Sequence, residues 1–187
     1  NSDVNLIAVS TNVITGKPHY ELIDKLNDKL DYVIASASLP IVSKVVRVDG
    51  LELLDGGASD SIPIKKSTEN FDRHILVLTR NAGYRKRKRR SRRLTAIRYP
   101  FRPEFREVLK SRHIHYNESL DLAEELEKDG RAIIIRPTEV LEIDRFEKNP
   151  NRLLNLYNLG YQDAMNKYQE IINLCSDCDN FELKSED

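Results

Sequence analysis

The segment Leu53-Leu54-Asp55-Gly56-Gly57-Ala58 places a carboxylate where an apolar strand ends, followed by two residues without side chains. Glycines let the backbone turn sharply and approach a neighbouring element closely, so Asp55 is expected at the rim of a sheet, in a tight cleft. Partial desolvation there would make it a better general base. The same residues also suit an ordinary turn, because Asp-Gly and Gly-Gly favour turns and an Asp side chain readily bonds its own backbone two residues on.

Other chemistry-bearing residues are more scattered. From Arg85 to Arg93, eight of nine residues are Lys or Arg (Arg85, Lys86, Arg87, Lys88, Arg89, Arg90, Arg92 and Arg93), interrupted only by Ser91. Such a run is either a solvated loop or an anchor for anionic headgroups, each charge contributing on the order of 1 kcal/mol near an acidic membrane. No aromatic residues interleave it to stack on bases, so nucleic acid is not the expected partner. Cys175 and Cys178 are at most half of a tetrahedral metal site. His113 and His115, two apart, do not share a helix face and have no carboxylate cluster beside them. No metal site is expected, and His19 and His74 read as structural.

The elements that must position Asp55 follow from patterning. Val4 to Val13 reads as a strand, Thr15 to Pro18 as a turn, Tyr20 to Ile23 as a short strand, and about Asp28 to Leu39 as a helix stopped by Pro40. Val45 to Val48 and Leu51 to Leu54 flank Asp49-Gly50, the strongest short-range hairpin signal. Pro63 suits the first turn of a short helix. His74 to Thr79 and Ala132 to Ile135 read as strands buried on both faces, with helices to cover them. Phe105, Leu109, Arg112, Tyr116, Leu120, Ala123 and Leu126 recur at helical spacing after Pro103, with a break expected near Asn117 and Gly130 as the closing residue. Leu154, Tyr157, Tyr161, Ala164, Tyr168, Ile171 and Cys175 form the stripe of a last helix. Residues 1–175 read as one domain and 176–187 as an acidic, frayed tail.

At 187 residues the chain is one domain's length, and its 30 basic and 30 acidic residues create no global field favouring nucleic acid, membrane or acidic substrate. Two cysteines do not make a disulfide framework, and the longest apolar runs fall short of a bilayer span. A cytoplasmic location, with at most peripheral membrane contact, is expected. Because the sequence opens on Asn1 and holds its one methionine at Met165, a piece of a longer protein is expected.

The wider order, Ala35-Ser36-Ala37-Ser38-Leu39-Pro40, a hairpin, Asp55-Gly56-Gly57, then Asp60-Ser61-Ile62-Pro63, resembles the patatin-like phospholipase family of bacterial type. Leu78 to Arg85, Lys110-Ser111-Arg112 to Gly130-Arg131, Ile133 to Pro137 and Leu156 to Tyr161 extend the likeness over most of the chain. The resemblance implies a three-layer α/β/α fold with a mainly parallel central sheet and a hairpin before the Asp-Gly-Gly turn. It further implies lipid acyl ester hydrolysis by a Ser/Asp dyad through an acyl-enzyme, with Asp55 as base, no histidine and no cofactor. Leu39, Ile41 and Ile62 are candidates to line an acyl cleft.

The nucleophile that such a dyad needs is missing, since no G-x-S-x-G occurs between Asn1 and Asp187. Neither does a glycine-rich segment that would supply oxyanion donors. Gly57-Ala58-Ser59-Asp60-Ser61 imitates the motif and fails at its last position. In the family both missing motifs lie upstream, so the expected partner of this chain is the N-terminal half of the same domain, and the chain alone is expected to be inactive. A pseudohydrolase, or a non-catalytic module using the basic run at a membrane surface, is the alternative.

Overall fold

The computed structural model describes residues 4–88, 92–141, 143 and 147–176. It is mixed α/β, with small sheets and six helices among the described residues. The chain divides into two compact units: Asn1–Pro63 with Lys86–Leu120, and Ile64–Arg85 with Asp121–Asp187.

The first unit holds the Asp-Gly-Gly segment. Strands β1 (Leu6–Asn12), β2 (Pro18–Ile23), β3 (Val46–Val48) and β4 (Leu51–Asp55) form a sheet of order β2-β1-β4-β3. Every pairing in it is antiparallel, with Ser10 opposite Asp55 and Thr11 opposite Leu54. The expectation of a mainly parallel sheet around Asp55 is therefore corrected here. Short connections, residues 13–17 and Asp49-Gly50, join β1 to β2 and β3 to β4, and connections that short can only join antiparallel neighbours. The second of these is the expected hairpin. Asp49 and Gly50 have φ of 50° and 75°, the two positive angles that a type I′ turn requires.

Helix α1 (Leu30–Ala37) buries Tyr32 and Ala35 with Ala8, Ile23 and Leu53 in one apolar cluster. A second cluster joins Val13, Leu54 and Ala58 to Tyr99 and Phe105, whose rings meet edge to face at 5.0 Å. Tyr99 follows α3 (Arg92–Arg98), and Phe105 lies near the start of α4 (Pro103–Lys128), of which the residues up to Leu120 belong to this unit. The break expected near Asn117 does not occur. The Asn117 side chain accepts from Lys86 N at 2.9 Å and donates to Lys86 O at 3.2 Å, and α4 runs on through it.

In the second unit α2 (Ile64–Ser67) follows Pro63 as expected, and β5 (His74–Val77) pairs in parallel with β6 (Ala132–Ile135). Ala132, Ile133 and Ile134 are buried, but Ile75 and Val77 of β5 are 45% and 74% exposed, so β5 is not the strand covered on both faces that its apolar run suggested. The expected last helix is two, α5 (Pro150–Asn166) and α6 (Tyr168–Ser176). The interruption is at Lys167, whose N–H bonds to Ala164 O three residues back, a tighter 3-10 step. Tyr157, Tyr161 and Tyr168 of the anticipated apolar stripe are exposed in this chain. Ser176 closes α6, and of the acidic tail expected over 176–187 the remainder, 177–187, lies outside the described residues.

Candidate functional site

Asp55 is the last residue of β4 and the cap of a 3-10 turn, Gly56–Ala58. Its backbone is fixed on both sides: Asp55 N donates to Ser38 O at 2.8 Å, and Thr11 Oγ1 donates to Asp55 O at 2.9 Å. Its carboxylate is fixed too, since Oδ1 accepts from Gly57 N at 2.6 Å. This is the local Asp bond to the second residue on, and it leaves the half-buried carboxylate oriented by the turn rather than free to rotate.

Gly56 is required by close approach to backbone, while Gly57 is crowded by side-chain ends. A Cβ on Gly56 would lie 2.3 Å from Val9 O and 2.6 Å from Val9 C, so the turn is pressed onto β1 backbone with no room for any side chain. A Cβ on Gly57 would meet Asp55 Oδ1 at 2.9 Å and Arg112 Nη2 at 3.0 Å. Ser61 Oγ donates to Gly57 O at 2.7 Å, a further bond within the turn.

Several hydroxyl groups lie at this turn. Thr11 Oγ1 lies 2.8 Å from Ser59 Oγ and also accepts from Ser59 N at 3.2 Å. Ser59 is thus held in a structural bond after a 3-10 turn, with no strand leading into it as a nucleophile elbow requires. Ser10, directly opposite Asp55 in the ladder, is buried, and its Oγ has no hydrogen-bond partner among the described residues. Directly opposed residues project to the same face, so Ser10 and Asp55 share one.

Of the anticipated cleft residues, Ile62 is buried and Leu39 half-buried, while Ile41 packs against the cluster of Leu54, Tyr99 and Phe105. Ile41 has φ of 76°, a left-handed conformation that a β-branched residue rarely adopts. Ile41 N donates to Tyr99 Oη at 2.9 Å, which helps hold the strained backbone. Strain of this kind costs of order 1–3 kcal/mol and tends to gather at functional sites. A β-branched residue gives no sequence signal for positive φ, so only the structure reveals it.

The basic run is partly engaged. Arg85 Nη2 meets Asp121 at 2.9 Å and Glu124 at 2.8 Å, and hydrogen bonding to Arg85 holds the Glu124 carboxyl below its ordinary range. Arg136 reaches the same Glu124 at 3.1 Å. Lys86 Nζ stands 4.1 Å over the Tyr116 ring, so an aromatic from α4 supports the run although none lies within it. Arg87 and Lys88 are exposed; Arg89 and Arg90, with the side chains of Arg92 and Arg93, lie outside the described residues.

No cluster of His, Cys, Asp or Glu suited to a metal ion is present among the described residues. His113 Nδ1 lies 3.1 Å from Lys110 O, and His115 stands 3.7 Å from Glu118. His19 stacks on Tyr32, and His74 is buried with Nδ1 2.9 Å from Ser67 Oγ. Cys175 is an exposed free thiol, and Cys178 lies outside the described residues. No described helix is long and apolar enough to cross a membrane.

Residues 102–176, from just before α4 to the end of α6, match a domain of unknown function (DUF6363). The matched stretch is less than half of the chain; it contains Arg112 and leaves out Asp55. Comparison of the sequence with curated proteins gives no match.

Proposed function

We propose that this chain supplies the base of a patatin-like serine acyl hydrolase acting on lipid acyl esters, in the manner of a phospholipase A. Asp55 takes the proton of a serine hydroxyl provided by a segment outside residues 1–187, because no nucleophile elbow occurs within them. The serine oxygen then bonds to the ester carbonyl carbon, the alcohol departs with the proton, and water releases the acid from the acyl-enzyme. The sheet of the first unit, completed by that segment, forms part of a three-layer α/β/α domain. Leu39, Ile41 and Ile62 line the acyl cleft, and the exposed Arg87 and Lys88 give the protein, cytoplasmic in this reading, a peripheral contact with anionic membrane.

The observation that carries the reading is the fixation of Asp55. Its N–H, C=O and Oδ1 are all bonded at the end of a strand, and Gly56 is pressed onto β1 where only glycine fits. An ordinary surface turn has no need of so many constraints on one residue. General-base catalysis does, because efficiency depends on placing the proton acceptor within hydrogen-bond reach of its donor.

Fluorophosphonate labelling of this chain and of a longer product of the same gene tests the proposal. Labelling of a serine outside residues 1–187, with p-nitrophenyl ester hydrolysis by the longer protein only, is expected. Labelling of Ser59, Ser61 or Ser10 would overturn the placement of the nucleophile, and absence of labelling in both would favour a pseudohydrolase or a binding module.

A further inference from the structure

The stripe of α4 that carries Phe105 and Leu109 into the core of the first unit also carries Arg112, a half-buried charge. Its guanidinium reaches the Asp-Gly-Gly turn. Asp55 Oδ1, Arg112 Nη2 and Ser61 Oγ lie 2.9, 3.0 and 3.6 Å from the point where a Cβ on Gly57 would sit. A carboxylate, a guanidinium and a hydroxyl therefore converge on one face of a residue whose lack of a side chain lets them do so.

We infer that Arg112 is a positioning residue for Asp55, holding the turn from the α4 side in the conformation in which the carboxylate acts as base; the inference rests on the proposed role of Asp55. The other constraints on the turn come from β1, from Ser38 after α1 and from its own sequence: the Val9 backbone against Gly56, Thr11 Oγ1 on Asp55 O, Ser38 O on Asp55 N, Asp55 Oδ1 on Gly57 N and Ser61 Oγ on Gly57 O. None of these comes from α4. Arg112 is the α4 side chain that lies against Gly57, and its flat guanidinium fills that space with a shape that a lysine ammonium does not match. Arg112 acts through the geometry of Asp55 and Gly57, not by touching substrate. A misplacement of about 1 Å in such a group costs about 10²-fold in rate.

Two readouts test this with Arg112→Ala and Arg112→Lys. On the present chain, amide exchange at Gly57 is expected to accelerate about tenfold in Arg112→Ala, while the amides of the Val46–Val48 and Leu51–Asp55 hairpin keep their protection up to Leu54. In the longer protein, kcat on a p-nitrophenyl ester is expected to fall by about 10²-fold with KM within about twofold. Millimolar guanidinium is expected to restore part of the Arg112→Ala loss and none of an Asp55→Asn loss. Gly57 exchange within about twofold of wild type would overturn the inference. So would a kcat loss that guanidinium leaves untouched. A wild-type longer protein that neither labels nor turns over ester would refute the hydrolase reading instead, and Gly57 exchange would then decide the positioning role alone.

Discussion

Replacing Gly56 by alanine tests the packing of the site most severely. The added Cβ would stand 2.3 Å from Val9 O, 2.6 Å from Val9 C and 2.9 Å from Val9 Cγ1. The first two are backbone atoms of a strand paired on both sides, so no side-chain rotation relieves the contact. Either β1 and the turn separate, weakening the ladder at Ser10 and Asp55, or the 3-10 turn is displaced and the Gly57 N to Asp55 Oδ1 bond goes with it. Overpacking typically costs about 1–3 kcal/mol and each lost hydrogen bond about 1 kcal/mol, so about 3 kcal/mol is expected. For a chain of this size that is a fall in Tm of about 6–12 °C, measurable by calorimetry or by urea unfolding followed by circular dichroism. A Gly56→Ala protein within about 0.5 kcal/mol of wild type would refute the close approach on which the site's rigidity rests.

Gly160 gives the opposite sign. It lies inside α5 with nothing within 4 Å of its Cβ position, so Gly160→Ala should stabilise by about 0.5–1 kcal/mol, read as a rise in the urea midpoint. Tyr99→Phe removes the acceptor for Ile41 N and should cost about 1–3 kcal/mol without loss of the ring packing on Phe105, which chemical denaturation would show. Burial, followed by the nearby Arg131 charge, pushes the His74 imidazole below its ordinary value of 6.5 while Asp72 opposes it more weakly. The unfolded chain therefore binds this proton more readily than the folded one. His74's contribution is intact above about pH 6.5 and is lost as pH falls below it, and His74→Asn should flatten that limb of a stability-pH profile.

Local chemistry was what the sequence showed well. Asp49-Gly50 demanded a hairpin because few residues accept two successive positive φ angles, and the hairpin in turn delivered Asp55 to the end of a strand. The direction of sheet pairing was less legible, because an apolar run such as His74 to Thr79 states how much a strand wants burial and not what lies beside it. Exposure of Ile75 and Val77 is decided by neighbours hundreds of atoms away in the chain, not by β5 itself. Helical spacing placed Arg112 on the same stripe as Phe105 and Leu109, yet periodicity cannot distinguish a long side chain covering a core from one that reaches the turn at Gly57. The left-handed Ile41 has no compositional signal at all.

Asp55→Asn in the longer protein tests the central claim most directly. The substitution keeps an Oδ1 acceptor for Gly57 N, so the turn should survive while the capacity to take a proton is removed. The account predicts a loss of about 10²–10⁴-fold in kcat/KM on a p-nitrophenyl ester with unfolding unchanged within about 0.5 kcal/mol. Activity within a few-fold of wild type would contradict it.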